Sequence, residues 1–152
     1  MTSKLVKDWQ LIFHEEFRYT NGSLYRGQMI KLSDKFLREG FGLQVWPDGG
    51  TYQGYWHLNK AEGRGKYCHP DGDVFEGDFK DDRANGFGVY THANGNRYRG
   101  AWRDDFQDGR GTEEWTDGSL YDGDYKQGKK HGWGSYRWAD GSTYEGNWFQ
   151  NE

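Results

Sequence analysis

The side chains of this chain that could react or ligate are few. They are His69 and His92, Cys68, the acid pairs Asp81–Asp82 and Asp104–Asp105 with Asp108, and a basic run of Lys126, Lys129, Lys130 and His131. Cys68 beside His69 suggests a thiolate and its base, the pairing that nucleophilic catalysis needs. Neighbours on a strand face opposite sides, so these two do not meet. His69 and His92 suggest a shared metal. They occupy one strand register in successive units about 9.6 Å apart, and ligand bonds near 2.1 Å would strain to close that gap. Aromatic packing is the expectation for both rings. The acid pairs lack the Asp-x-Asp-x-Asp-Gly spacing of a calcium loop and are expected to form a solvated rim. No acid, base and nucleophile converge, so the expectation is a protein that is not an enzyme and holds no metal or cofactor.

The basic run carries a different chemistry. Lys126, Lys129, Lys130 and His131 fall in one expected loop, and each base near a membrane is worth about 1 kcal/mol toward anionic phospholipids or phosphoinositides. Set against a formal net charge of -4, a solvated loop is the preferred reading. The same acidic balance argues against a nucleic-acid partner.

What positions these residues is a repeat. The chain writes an Asn-Gly or Asp-Gly pair six times, ending at Gly22, Gly49, Gly72, Gly95, Gly118 and Gly141, with an aromatic residue three positions later and a second glycine two beyond that. The spacing is 27 residues once and 23 thereafter. A fixed period of this size means one small unit copied along an axis, without a closed core. The apolar fraction of 33% would suggest disorder, but 18% aromatics in strict register overrule it. The single cysteine suits a reducing compartment. With no signal-peptide pattern and no apolar run near the ~18 residues of a membrane span, the reading is a soluble intracellular protein.

Each unit reads as two short strands. In Asp117-Gly118-Ser119-Leu120-Tyr121-Asp122-Gly123-Asp124-Tyr125 the Asp-Gly pair predicts a type I′ hairpin turn, and alternation puts Tyr121, Gly123 and Tyr125 on one face. A six-residue loop is expected next, then a strand through Gly132, Gly134, Tyr136 and Trp138. Asn59, Asp82, Asp105 and Gly128 share one register in that loop and predict left-handed backbone there. The fold class that follows is all-β: an elongated, open antiparallel β-meander, a single-layer twisted sheet of hairpin repeats. Four ladders of equivalent positions result. The first-strand ladders run through Tyr25, Tyr52, Phe75, Tyr98, Tyr121 and Tyr144, and through Met29, Trp56, Phe79, Trp102, Tyr125 and Trp148. The second-strand ladders run through Gln44, Tyr67, Tyr90, Glu113 and Tyr136, and through Trp46, His69, His92, Trp115 and Trp138. The strand glycines between them are expected to leave room for rings to lie flat.

These units resemble MORN repeats (membrane occupation and recognition nexus), whose pattern is Tyr-x-Gly-x-Trp-x6-Gly-x-Gly. Tyr52-Gln53-Gly54-Tyr55-Trp56 with Gly63-Arg64-Gly65 matches, as does Tyr98-Arg99-Gly100-Ala101-Trp102 with Gly109-Arg110-Gly111. Phe75 through Gly88 and Tyr121 through Gly134 match with aromatic swaps. The first unit departs, with Met29 for tryptophan and a four-residue insertion around Phe36 and Leu37. The resemblance implies a non-catalytic module that binds partner proteins on a concave aromatic face, in the cytoplasm or cytoskeleton and in ciliary, axonemal assemblies. It also implies, in some members, a place beside membranes or end-to-end association.

The organisation expected is an N-terminal cap over residues 1–20 and an array over 21–152, with repeats starting near 22, 49, 72, 95, 118 and 141. Phe17 and Tyr19 fall in second-strand register, so a half-unit should pair there. The last strand, through Trp148 and Phe149, is expected to leave an edge open to partners. The partner-binding expectation rests on Trp56, Phe79, Trp102, Glu113, Trp115, Tyr125, Tyr136, Trp138 and Trp148, with Glu113 placed to orient a basic partner residue. The alternative lipid site is the Lys126–His131 run.

Overall fold

The computed structural model describes residues 10–152. The cap expectation for residues 1–9, Trp9 included, lies outside the described residues. Twelve antiparallel strands follow in strict sequence order as one sheet. They are β1 (Ile12–Arg18), β2 (Leu24–Leu32), β3 (Lys35–Val45), β4 (Thr51–His57), β5 (Lys60–Cys68), β6 (Val74–Lys80), β7 (Arg83–Thr91), β8 (Arg97–Arg103), β9 (Phe106–Glu114), β10 (Leu120–Lys126), β11 (Lys129–Arg137) and β12 (Thr143–Trp148). This is the open single-layer meander expected from the period. The half-unit at the N-terminus is β1, which pairs antiparallel with β2.

The two kinds of turn are exchanged relative to expectation. At each Asx-Gly pair only the glycine has positive φ, +93° at Gly22 and +92° at Gly118, while the preceding Asn or Asp does not. The Gly118 N–H donates to the Trp115 carbonyl at 3.0 Å, and the Asp117 carboxylate accepts the Ser119 N–H at 2.8 Å. This is a three-residue loop, a turn whose left-handed glycine makes the bulge, and not type I′. The type I′ geometry sits at the other end, at Leu58–Asn59 (φ +46°, +72°), Asp81–Asp82 (+49°, +67°), Asp104–Asp105 (+46°, +72°) and Gln127–Gly128 (+49°, +83°). The expected six-residue loop is therefore a two-residue turn with strand on both sides. The remaining residues go into a bulge. Gly54 faces Gly65 while Trp56 faces Ala61, so two residues of β4 advance against four of β5.

Left-handed backbone at a non-glycine residue costs about 1–2 kcal/mol, and here each turn is held from the repeat before it. The Asp82 carboxylate accepts the Ala61 N–H at 2.7 Å and its own N–H donates to the Ala61 carbonyl at 3.1 Å. Asp105 makes the same two bonds to Ala84, and Asn151 makes them to Lys130. The acids of these turns were expected to be a solvated rim; Asp82 and Asp105 are instead clips between repeats.

The core lies on one face of the sheet. Tyr25, Tyr52, Tyr98 and Tyr121 are fully buried, and among the described residues no second layer covers them. Each ring lies across the paired glycines of its own unit. A Cβ on Gly65 would stand 2.5 Å from Tyr52 Cε2, so only glycine fits beneath the ring. The hydroxyl then reaches a backbone carbonyl three residues on: Tyr52 donates to Tyr55 at 2.9 Å, Tyr98 to Ala101 at 2.7 Å and Tyr121 to Asp124 at 2.8 Å. Contacts between rings are edge to face. Tyr52 meets Trp56 at 4.9 Å and 78° and Phe79 of the next repeat at 5.0 Å and 88°. Each such pair adds about 0.5–1.5 kcal/mol beyond its buried area, so the ladder is a continuous core built one ring deep.

Candidate functional site

The ladders of the aromatic face are buried to different degrees. First-strand rings are structural. Trp56 and Tyr125 are each only 4% exposed, and the tryptophan indole N–H groups staple neighbouring repeats. Trp56 donates to the Gly42 carbonyl at 3.2 Å, Trp102 to Gly88 at 3.1 Å and Trp148 to Gly134 at 3.2 Å. Phe79, Trp102 and Trp148 are half-buried. The second-strand rings stand further out. Trp115 and Tyr136 are half-buried, Trp138 is 42% exposed, and Tyr136 lies 4.6 Å from Trp138 and 5.5 Å from Trp115 at tilted angles. The face thus has a packed floor and a row of open rings along one side.

Glu113 has an intramolecular partner. Its carboxylate accepts the Tyr125 hydroxyl at 2.6 Å, which closes the gap it makes in the aromatic ladder. Burial first, and then the Glu113 charge, hold the Tyr125 phenol far above its usual ionisation range. Tyr90 plays a similar part toward Asp73, donating its hydroxyl at 2.6 Å. That bond is the leading reason why the Asp73 carboxyl stays below its ordinary range.

His69 and His92 pack as rings, against Tyr67 at 4.6 Å and Tyr90 at 4.8 Å. Among the described residues no three His, Cys, Asp or Glu side chains gather as a metal site would require. Cys68 ends β5 opposite Thr51.

Of the basic run, Lys126, Lys129 and His131 line one shallow surface depression with Phe149 and Gln150, and Lys130 stands apart from them. With the turn reduced to Gln127–Gly128, Lys130 pairs with Tyr125 and shares its face, where its ammonium lies 5.2 Å from the Trp115 ring and 5.4 Å from Tyr121. Lys126 and Lys129 are exposed, and His131 leans on Phe149 at 5.6 Å.

Sequence reasoning missed two features. One is Arg38, whose guanidinium lies 4.1 Å over the Trp56 ring and 5.7 Å from Tyr19. The other is a groove of about 400 Å³ on the aromatic face, lined by His69, Phe79, Ala84, Tyr90, Trp102 and Asp105 among others. The four-residue insertion hid the first, since it shifts Arg38 out of simple register. The side-chain size at position 84 was the available signal for the second.

The repeat units match the MORN repeat model at residues 37–51, 52–74, 75–97, 98–120 and 121–143, well over half of the chain. The chain belongs to the MORN-repeat family. The last four matched segments each run from one three-residue turn through the next, the first begins within β3, and β1, β2, the start of β3 and all of β12 after Thr143 flank them. No curated protein matches the chain in sequence. Among solved structures, the MORN array is similar to the SAS-4 (dCPAP) TCP domain of Drosophila melanogaster, solved with a proline-rich motif of Ana2 (dSTIL). That match has 15% identity and a TM-score of 0.53 over 90% of this chain and 76% of that one. The CPAP G-box domain gives 13% identity and a TM-score of 0.41 over 90% and 91%. The wild-type TCP10 domain of Danio rerio CPAP, solved with a STIL peptide, gives 14% identity and a TM-score of 0.26 over 88% and 83%. The Drosophila match establishes likeness of fold.

Proposed function

We propose that this chain is a non-catalytic scaffold whose aromatic face receives an extended segment of another protein, in a cytoskeletal or ciliary assembly. The carrying observation is the row of half-buried Trp115 and Tyr136 and exposed Trp138 beside a packed ring floor, on a sheet that no other described residue covers. Half-exposed tryptophan and tyrosine are the side chains that anchor interfaces, because one rigid ring buries much area at little entropic loss. A single-layer sheet presents such rings in a row at the repeat spacing of about 9.6 Å, which suits an extended ligand. The similarity to the SAS-4 domain supports this reading, since that domain was solved in complex with a proline-rich motif of another protein. The cytoskeletal and ciliary setting rests on the family resemblance.

Trp115→Ala combined with Trp138→Ala tests the face. Neither ring belongs to the first-strand floor, so the fold is expected to persist while cross-linked partners found in native extract are lost. Retention of those partners by the double variant would remove this face from consideration. Association through β12 has one support, a strand that among the described residues pairs with β11 alone and is followed by Phe149 at 63% exposure. Anionic-lipid binding draws on Lys126 and Lys129 with His131, Lys130 being turned to the aromatic side; salt-sensitive binding to anionic liposomes, lost when both of these exposed lysines become glutamate, is its test.

A further inference from the structure

The first repeat contains a bound cation of its own making. Arg38 lies over Trp56, its Nε donates to the Asn59 side chain at 2.7 Å, Nη1 donates to Gln44 Oε1 at 2.9 Å, and Nη2 donates to the Asn59 carbonyl at 3.0 Å. Desolvation by these neighbours lowers the guanidinium pKa, as expected for a cation drawn into an aromatic slot.

The same slot recurs two repeats on with the cation missing. The backbone match is direct: the Asn59 N–H donates to the Arg38 carbonyl, and the Asp105 N–H donates to the Ala84 carbonyl. Gly40 faces Trp56 as Gly86 faces Trp102. Ala84 thus stands where Arg38 stands, Trp102 where Trp56 stands, Tyr90 where Gln44 stands, Asp105 where Asn59 stands and His69 where Tyr19 stands. All five line the groove of about 400 Å³. Truncation of the arginine position to a methyl group is what opens it.

The charge at the clip position varies with the side chain it faces. Where the chain supplies a cation, at Arg38 and Lys130, the clip is the neutral Asn59 or Asn151. Where it supplies alanine, at Ala61 and Ala84, the clip is Asp82 or Asp105. A hydrogen bond to the backbone needs only an oxygen, which Asn and Asp both have. The negative charge therefore has no structural role that Asn59 does not perform without it, and it sits at the mouth of an empty aromatic slot. Phosphate or carboxylate ligands are disfavoured there by the same charge.

We infer that the Ala84 slot, between Trp102, His69 and the Asp105 carboxylate, receives an arginine side chain from an extended segment of a partner protein, in the arrangement that Arg38 adopts within the first repeat. This deepens the aromatic-face reading and rests on it. The planar guanidinium is selected over ammonium because Arg38 uses three separate nitrogens at once, two of them against one residue.

The test is a nuclear magnetic resonance titration of the whole chain with the capped tripeptide Pro-Arg-Pro and with its citrulline counterpart, which keeps shape but lacks charge. The Trp102 indole N–H is expected to shift saturably with the arginine peptide and at least about fivefold more weakly with citrulline. Asp105→Asn, which keeps the clip as Asn59 does, should weaken arginine binding severalfold without altering the circular dichroism. Ala84→Arg, which rebuilds the first-repeat arrangement, should abolish the shift. Equal response to arginine and citrulline, no saturation in the native chain, unchanged affinity in Asp105→Asn, or a shift that persists in Ala84→Arg would each overturn the assignment. If the slot fails here while Trp115→Ala with Trp138→Ala still releases partners, the slot alone is wrong; if the slot responds and that double variant retains its partners, the wider face reading is wrong.

Discussion

Asp105 and Ala84, 21 positions apart, exchange two hydrogen bonds: the Asp105 carboxylate accepts the Ala84 N–H at 2.8 Å, and the Asp105 N–H donates to the Ala84 carbonyl at 3.0 Å. Asp105 holds φ at +72°, a conformation that most side chains resist. One residue therefore solves a strained turn and joins two repeats. Replacing it separates these contributions. Asp105→Asn should change stability by less than ~0.5 kcal/mol, since Asn59 does the same work. Asp105→Gly should lose about 1 kcal/mol through the missing side-chain bond, with strain relieved. Asp105→Ala should lose about 2–3 kcal/mol, because strain and lost bond combine. Chemical denaturation that ranked alanine with asparagine would contradict the clip.

In the buried ladder of Tyr25, Tyr52, Phe75, Tyr98 and Tyr121, Phe75 alone lacks a hydroxyl, while the four tyrosines each donate to the carbonyl three residues on. Phe75→Tyr should gain up to about 1 kcal/mol by bonding to the Asp78 carbonyl. A loss of stability would mean that the ring of the third repeat is seated differently.

Gly111 lies beneath the Tyr98 ring at an ordinary φ, so its replacement tests sterics without backbone strain. A Cβ there would stand 2.5 Å from Tyr98 Cε2 and 2.6 Å from Cζ. Gly111→Ala should destabilise by about 3 kcal/mol, measured by urea unfolding, and by less when Tyr98 is already Leu. Additive effects of the two changes would show that ring and glycine do not touch.

Alkali should unfold the array in a defined window. Burial, then the nearby Asp124 charge, push the Tyr121 phenol from 10.0 up to about 12, and burial raises Tyr25, Tyr52 and Tyr98 as well. The unfolded chain releases these protons near pH 10, before the folded chain does, so the stability is fully present below that pH. It should fall as pH rises from 10 toward 12, the several tyrosines making the loss steep. Tyrosinate ultraviolet absorbance that developed in step with loss of sheet circular dichroism would fit; gradual ionisation with the sheet intact would not.

The period and the alternation were enough to assign strands and faces, as Tyr121, Gly123 and Tyr125 show, because a two-residue side-chain period leaves no freedom once the register is set. Turn chemistry was ambiguous. A glycine with positive φ serves both a type I′ turn and a three-residue bulged loop, so Asp117-Gly118 did not decide between them. The true type I′ turns at Asp81–Asp82 and Asp104–Asp105 carry no glycine, and what stabilises them comes from the previous repeat, out of reach of local reading. That error carried over to Lys130: shortening the loop turned it onto the aromatic face. Glu113 was legible as a break in the ladder, but its hydrogen bond to Tyr125 is a tertiary fact.

Hydroxyl-radical footprinting of the chain, alone and engaged in native extract, tests the aromatic face most directly. Trp133 is 53% exposed on the other side of the sheet and serves as the internal reference. Binding should protect Trp115 and Trp138 while Trp133 stays as reactive as in the isolated chain. Protection of Trp133 with Trp138 still fully reactive would contradict the proposal and place the partner on the opposite side.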